Sequence, residues 1–107
     1  MRLRSDLQVA ALQRRVEAAG LMFTVLRRGH EEGGLIFIKW VDGREATLFT
    51  EATVNDARRW VVRGGTAPEF EINERVAKDE SFDPDLWVVE ILGSSAHVAA
   101  ILDPVSD

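Results

Sequence analysis

The chain has 107 residues, 46% hydrophobic and 29% charged, which fits one soluble domain with its own core and excludes disorder and collagen-like repetition. With no cysteine, no tyrosine and two histidines, disulfides, thiolate metal sites and cysteine nucleophiles are out. The net charge of −5 argues against general nucleic-acid binding, but residues 1–44 sum to +3 and residues 45–107 to −8, a split that allows one basic face.

Along the chain, Ser5 with Gln8 reads as a capping box, and Val9, Leu12, Val16 and Ala19 form one helical stripe closed by Gly20. A helix is predicted over residues 5–19. Met22–Arg28 is a predicted strand, followed by a glycine-ended turn at residues 30–34. Leu35–Val41 is a strand so apolar that both of its faces must be covered. Asp42-Gly43 then predicts a two-residue hairpin turn, setting Trp40 opposite Glu45, Ile38 opposite Thr47 and Phe37 opposite Leu48.

Residues 51–58 read as polar and irregular, and Arg59–Arg63 as a short strand ended by Gly64-Gly65. Thr66 with Glu69 forms a second capping box, with Pro68 in the first turn of a helix over about residues 67–80. Phe82-Asp83-Pro84-Asp85 breaks that helix, Leu86–Leu92 is a fifth strand, and residues 96–102 lean to a short terminal helix. The order α-β-β-β-β-α-β predicts an α+β fold, with a mainly antiparallel sheet of about five strands and two helices on one face. Residues 1–92 are taken as a single domain, with residues 93–107 as an extension packed on it or at an interface. No apolar run approaches the ~20 residues of a membrane span, and the N-terminal stretch lacks the apolar core of a secretory signal. No membrane partner is expected, and cytoplasm is the expected compartment.

Asp79, Ser81, Asp83 and Glu90 fall on positions 1, 3, 5 and 12 of a calcium-binding loop, but Pro84 stands where that loop needs glycine. An Asp-Pro-Asp turn explains the same residues without metal. His30 and His97 have no ligand partner at metal spacing, although His30 beside Glu31 has the composition of a base and its orienter. The diglycines at 33–34 and 64–65 precede no Lys-Ser/Thr pair, and Ser94-Ser95 lacks the flanking glycines of a nucleophile elbow. Neither a catalytic set nor a metal or cofactor site is therefore assigned. Trp40, Trp60 and Trp87 all fall on predicted strands, where packing is their ordinary role. Arginine pairs beside tryptophans are the exception, since basic and aromatic residues together on a sheet can hold single-stranded nucleic acid. The candidate binding surface is therefore Arg27, Arg28, Arg58, Arg59, Trp60 and Trp87.

MRLRSD at the start, Arg27-Arg28-Gly29 followed by GGLIFI, and FDPDLWVVEI at residues 82–91 together resemble a family of short alphaproteobacterial proteins known only as a domain of unknown function. The resemblance spans residues 1–92 and implies a bacterial, cytoplasmic, stand-alone domain. It implies no activity and transfers no catalytic residue.

The first functional expectation is a non-enzymatic binding or interaction domain that self-associates as a homodimer, with a protein partner possible. The dimer follows from sheet width, because two helices on one face would leave the other face open. Two alternatives stay open. One is a nucleic-acid-associated module using the arginine-rich N-terminal half, and the other a small hydrolase or transferase whose site is shared with a partner chain.

Overall fold

The structure, a computed structural model, describes residues 3–105. Its elements are α1 (Ser5–Ala18), β1 (Met22–Arg27), β2 (Ile36–Asp42), β3 (Glu45–Val54), β4 (Ala57–Pro68), α2 (Glu69–Phe82), β5 (Trp87–Leu92), a 3-10 turn (Ser95–His97) and α3 (Val98–Leu102). The strands form one sheet in the order β1-β5-β2-β3-β4. Every adjacent pair is antiparallel except β2 with β5, which run parallel. The fold is α+β in the predicted order. Among the described residues, no helix is long and apolar enough to cross a membrane.

The helices depart from the expected placement on one face. Val9, Leu12 and Val16 of α1, with Ile101 and Leu102 of α3, pack on Ile36, Ile38, Trp40, Phe49, Trp87, Val89 and Ile91. Ile72 and Val76 of α2 pack instead with Phe37, Val41, Leu48, Leu86 and Val88, the alternate residues of the same strands. Successive strand side chains point to opposite faces, so a sheet whose central strands bury apolar side chains on both faces needs a helix on each side. The face that suggested a dimer is therefore covered within the chain. The stripe on α2 consists of two residues, and that brevity hid its role.

Local differences have equally plain causes. The first hairpin turns on Gly43-Arg44, so Trp40 pairs with Thr47, Ile38 with Phe49 and Phe37 with Thr50. Gly43 has φ +64 while Arg44 is not among the positive-φ residues, the sign pattern of a type II′ turn. Asp42 remains in the ladder opposite Glu45, and its carboxylate accepts the Ser95 N–H at 2.9 Å. Moving each partner by two residues keeps every side chain on its expected face.

Residues 51–58 are ordered rather than irregular. β3 continues to Val54, and Asn55 and Asp56 at φ 50 and 65 form a second two-residue turn into β4. Both residues tolerate left-handed backbone, which the first hairpin obtained from glycine. β4 also runs on past Gly64-Gly65 through a bulge opposite Leu48. Neither capping box forms. The Ser5 hydroxyl donates to the Gly34 carbonyl at 2.6 Å, and the Thr66 hydroxyl bonds that of Thr47 at 2.7 Å.

The centre of the sheet buries a charge. Lys39 is 4% exposed, at the centre of the α2-covered face, and its ammonium donates to Glu69 at 2.6 Å and Glu90 at 3.2 Å. Both carboxylates keep more access to water than the ammonium does. Removing both acids strands a buried cation, whereas removing the lysine leaves groups that can hydrate. The double variant Glu69→Ala/Glu90→Ala should lose about 3 kcal/mol, and Lys39→Met less than half of that, in urea unfolding at neutral pH.

Candidate functional site

The six candidate surface residues do not meet. Arg27 ends β1 and Arg28 follows it, whereas Arg58, Arg59 and Trp60 lie on β4, and β1 and β4 are the two outer strands of the sheet. Among the described residues, no continuous basic stripe joins the two arginine pairs. Trp87 is 1% exposed and belongs to the core.

The first group forms a packed junction. Arg27 donates to the Pro84 carbonyl at 3.2 Å and pairs with Glu80 at 3.4 Å. The Arg28 guanidinium sits 5.1 Å from the centroid of the Trp87 ring and pairs with Glu31 at 3.3 Å. The Trp87 indole N–H donates to the His30 carbonyl at 2.8 Å, and the His30 N–H donates to the Asp85 carbonyl at 3.0 Å. Gly29 and Gly34 both lie against the Asp85 carbonyl and the Trp87 ring, where a Cβ on either would enter the van der Waals envelope of the backbone oxygen. Ser5 joins through Gly34, and Arg4 through its ion pairs with Asp6 and Glu31. The three strings that carry the family resemblance thus converge on one structural joint; Met1 and Arg2 of the first string lie outside the described residues.

The second group does border a cleft. A groove of about 350 Å³ opens between α1 and the β3–β4 hairpin, lined by Leu3, Gln8, Ala11, Leu12, Arg15, Glu51, Arg58, Arg59 and Trp60. Apolar side chains form its floor and three guanidinium groups its rim. Arg58 donates to Glu51 at 3.2 Å, while Arg59 donates to the Asp103 carbonyl at 3.0 Å. Arg15 makes no ion pair among the described residues. Asp103 holds left-handed backbone at φ 45, and beyond it the Val105 N–H donates to the Trp60 carbonyl at 2.9 Å. The C-terminal segment therefore fixes one wall of the groove. Arg15 flanks the apolar stripe of α1, a position that predicts a side chain facing water; it is exposed, and there it borders the groove beside the hairpin.

Other reactive side chains are occupied by the backbone or by one another. Asp79 pairs with Arg63 at 3.0 Å, Asp83 accepts the Asp85 N–H at 3.0 Å, Ser81 donates to the Lys78 carbonyl at 2.6 Å, and Glu90 holds Lys39. Among the described residues, no group of three or more His, Asp or Glu side chains is placed to hold a metal ion. His30 Nδ1 accepts the N–H groups of Glu32 and Gly33, closing its own loop. His97 lies beyond the far end of β5. Ser94 Oγ accepts the Ala96 N–H at 3.2 Å.

Comparison with known proteins agrees with the resemblance. Residues 3–101 match the family described as "Protein of unknown function (DUF1491)", so the match continues past residue 92 into α3. Among solved structures, the chain is similar to the crystal structure of a DUF1491 family protein from Caulobacter crescentus CB15, with 39% identity, a TM-score of 0.79, and coverage of 86% of this chain and 89% of that one. It is similar to the solution structure of protein Atu0922 from A. tumefaciens, with 32% identity, a TM-score of 0.85, and coverage of 100% and 98%. An NMR structure of a DUF1491 family protein from Caulobacter crescentus CB15 gives 36% identity, a TM-score of 0.82, and coverage of 100% and 99%. No curated protein matches.

The junction makes two predictions. Gly34→Ala should lower stability by about 2 kcal/mol or more, because backbone rather than a flexible side chain must move to admit the methyl group; urea unfolding beside an exposed control such as Gly33→Ala measures it. The second concerns acid. A hydrogen bond from the Arg4 side chain, more than any other cause, holds the Asp6 carboxyl below its usual value. That contribution is complete above the unfolded carboxylate pKa of ~3.9 and fades as pH falls through the depressed folded value. Arg4→Gln should flatten the acid limb of the unfolding profile measured between about pH 5 and pH 2.

Proposed function

We propose, for a chain that belongs to the DUF1491 family of proteins of unknown function, a non-enzymatic binding role centred on the groove between α1 and the β3–β4 hairpin. The observation that carries this reading is the meeting of Arg15, Arg58 and Arg59 around an apolar floor that includes Trp60. Guanidinium groups suit planar, bidentate recognition of anions, and a pocket with an apolar lining and a few convergent polar groups is the common form of a ligand site. Support for binding over catalysis comes from His30 and Ser94, whose side chains cap their own loops. The nucleic-acid reading is weakened because Arg27-Arg28 and Arg58-Arg59 border opposite edges of the sheet. A cytoplasmic setting is part of the proposal.

Self-association belongs to the same reading, with its support moved from sheet face to sheet edge. β1 is an outer strand, and Met22, Val25 and Leu26 are exposed along it at 64%, 40% and 51%, with Leu92 beside them. Outer strands with exposed apolar residues favour pairing with another strand, and a two-fold dimer is the simplest closed form.

Two measurements test the proposal. In a thermal-shift panel of pyrophosphate, octanoate and an oligothymidylate against chloride at matched ionic strength, at least one anion should raise Tm by several degrees, and Arg15→Gln should cut the shift sharply. A flat panel overturns the groove as a binding site. Light scattering should give about twice 11.9 kDa at micromolar concentration; a mass of 11.9 kDa across the dilution series removes the dimer.

A further inference from the structure

We infer that the groove takes an amphipathic monocarboxylate, with its carboxylate on Arg15 and an acyl or aryl body over Leu12 and Trp60. This rests on the groove being a binding site and adds the class of ligand. Three features of the lining select it.

The first is charge. Arg58 is held by Glu51, whose side chain is only 6% exposed, and Arg59 by the carbonyl and carboxylate of Asp103. Among the described residues this leaves Arg15 as the one groove cation without a carboxylate partner. A single unpaired guanidinium matches a single negative charge, and its fork presents two parallel N–H donors to one carboxylate. A polyphosphate needs several unpaired cations or a cradle of backbone N–H groups, and among the described residues the groove lining supplies neither.

The second is the floor. Leu3, Ala11 and Leu12 with the face of the Trp60 ring form a largely apolar surface, which a small hydrophilic anion would leave unfilled. Leu12 is 2% exposed and anchored in the core, and Trp60 packs against the same cluster. These two residues tie that part of the floor to the core. The third is size. About 350 Å³ lies near the small end of the range of about 300–1,000 Å³ typical of small-molecule sites, room for one ring or a medium acyl chain.

The test is NMR titration of the full-length ¹⁵N-labelled chain with hexanoate, octanoate, octanol, pyrophosphate and an oligothymidylate, following the arginine Nε–H and tryptophan Nε1–H resonances. Trp40 and Trp87, whose indole N–H groups are bonded to Gly93 and His30, serve as internal references. Octanoate should shift Arg15 and Trp60 saturably, while octanol leaves Arg15 unmoved. Affinity should rise two- to fourfold per added methylene, the upper figure being the equivalent of ~0.8 kcal/mol for a fully buried CH₂. Arg15→Gln should weaken octanoate binding roughly tenfold, the loss of one hydrogen-bonded charge.

Equal binding of octanol and octanoate overturns the inference, because the arginine then plays no part. Tighter binding of pyrophosphate or the oligothymidylate at the same resonances also overturns it, while leaving the groove as an anion site. If no probe moves any groove resonance, the inference and the binding reading fall together.

Discussion

The connection from β1 to β2 must cross the beginning of β5, and the rest of the sheet depends on how closely it does so. β5 lies between β1 and β2, antiparallel to the first and parallel to the second, so Arg27 pairs near Val88 and Ile36 with Trp87. Residues 28–35 therefore span two inter-strand spacings, roughly 10 Å, directly over the Asp85–Trp87 backbone. Gly29 and Gly34 permit contact with the Asp85 carbonyl, and the Trp87 indole fills the space beneath while bonding His30. A side chain at either glycine lifts the loop and separates the strands on both sides of β5. Ser5 ties α1 to the same point, which gives the helix its position above the sheet.

From that joint the two-sided core follows. With β5 and β2 at the centre and apolar on both faces, one helix layer cannot exclude water. α2 lies in the connection from β4, at one edge, to β5, near the other, and it covers the second face on the way. Lys39 is a buried charge on that face, held by one acid from α2 and one from β5. Acidic residues concentrate on α2 and the turn after it, while Arg15, Arg58 and Arg59 gather by the groove on the opposite side. The side of the sheet on which each charge lies cuts across the two halves of the chain, since Arg58 and Arg59 belong to the net-acidic half.

The groove is a by-product of the long β3–β4 hairpin, which extends beyond the core and borders α1. The hairpin contributes Glu51, Arg58, Arg59 and Trp60, and the C-terminal segment secures its outer strand through Val105 and Asp103. The three family strings build the joint at the start of β5, and none of them contributes a charged side chain to the groove. A motif that identifies a family can therefore be structural while the recognition surface lies in less distinctive residues.

Much of the fold was legible from local chemistry. The stripe Val9, Leu12, Val16, the apolar run from residue 35 to 41 and the Asp83-Pro84-Asp85 turn each act over a few residues, and the corresponding elements formed within one or two residues of where the pattern placed them. The sequence also showed that β2 must be covered on both faces. What covers it was decided only in three dimensions, because a two-residue stripe on α2 gains its meaning from the sheet beneath. The same holds for Ser5 and Thr66: their local capping patterns were overridden by partners distant in the chain, Gly34 and Thr47. Arg58, Arg59 and Trp60 were identified as a candidate surface, whereas Arg15 joined them through packing and Trp87 was withdrawn into the core. Periodicity reports which side of an element is apolar; only tertiary packing determines which polar residues that side is brought to face.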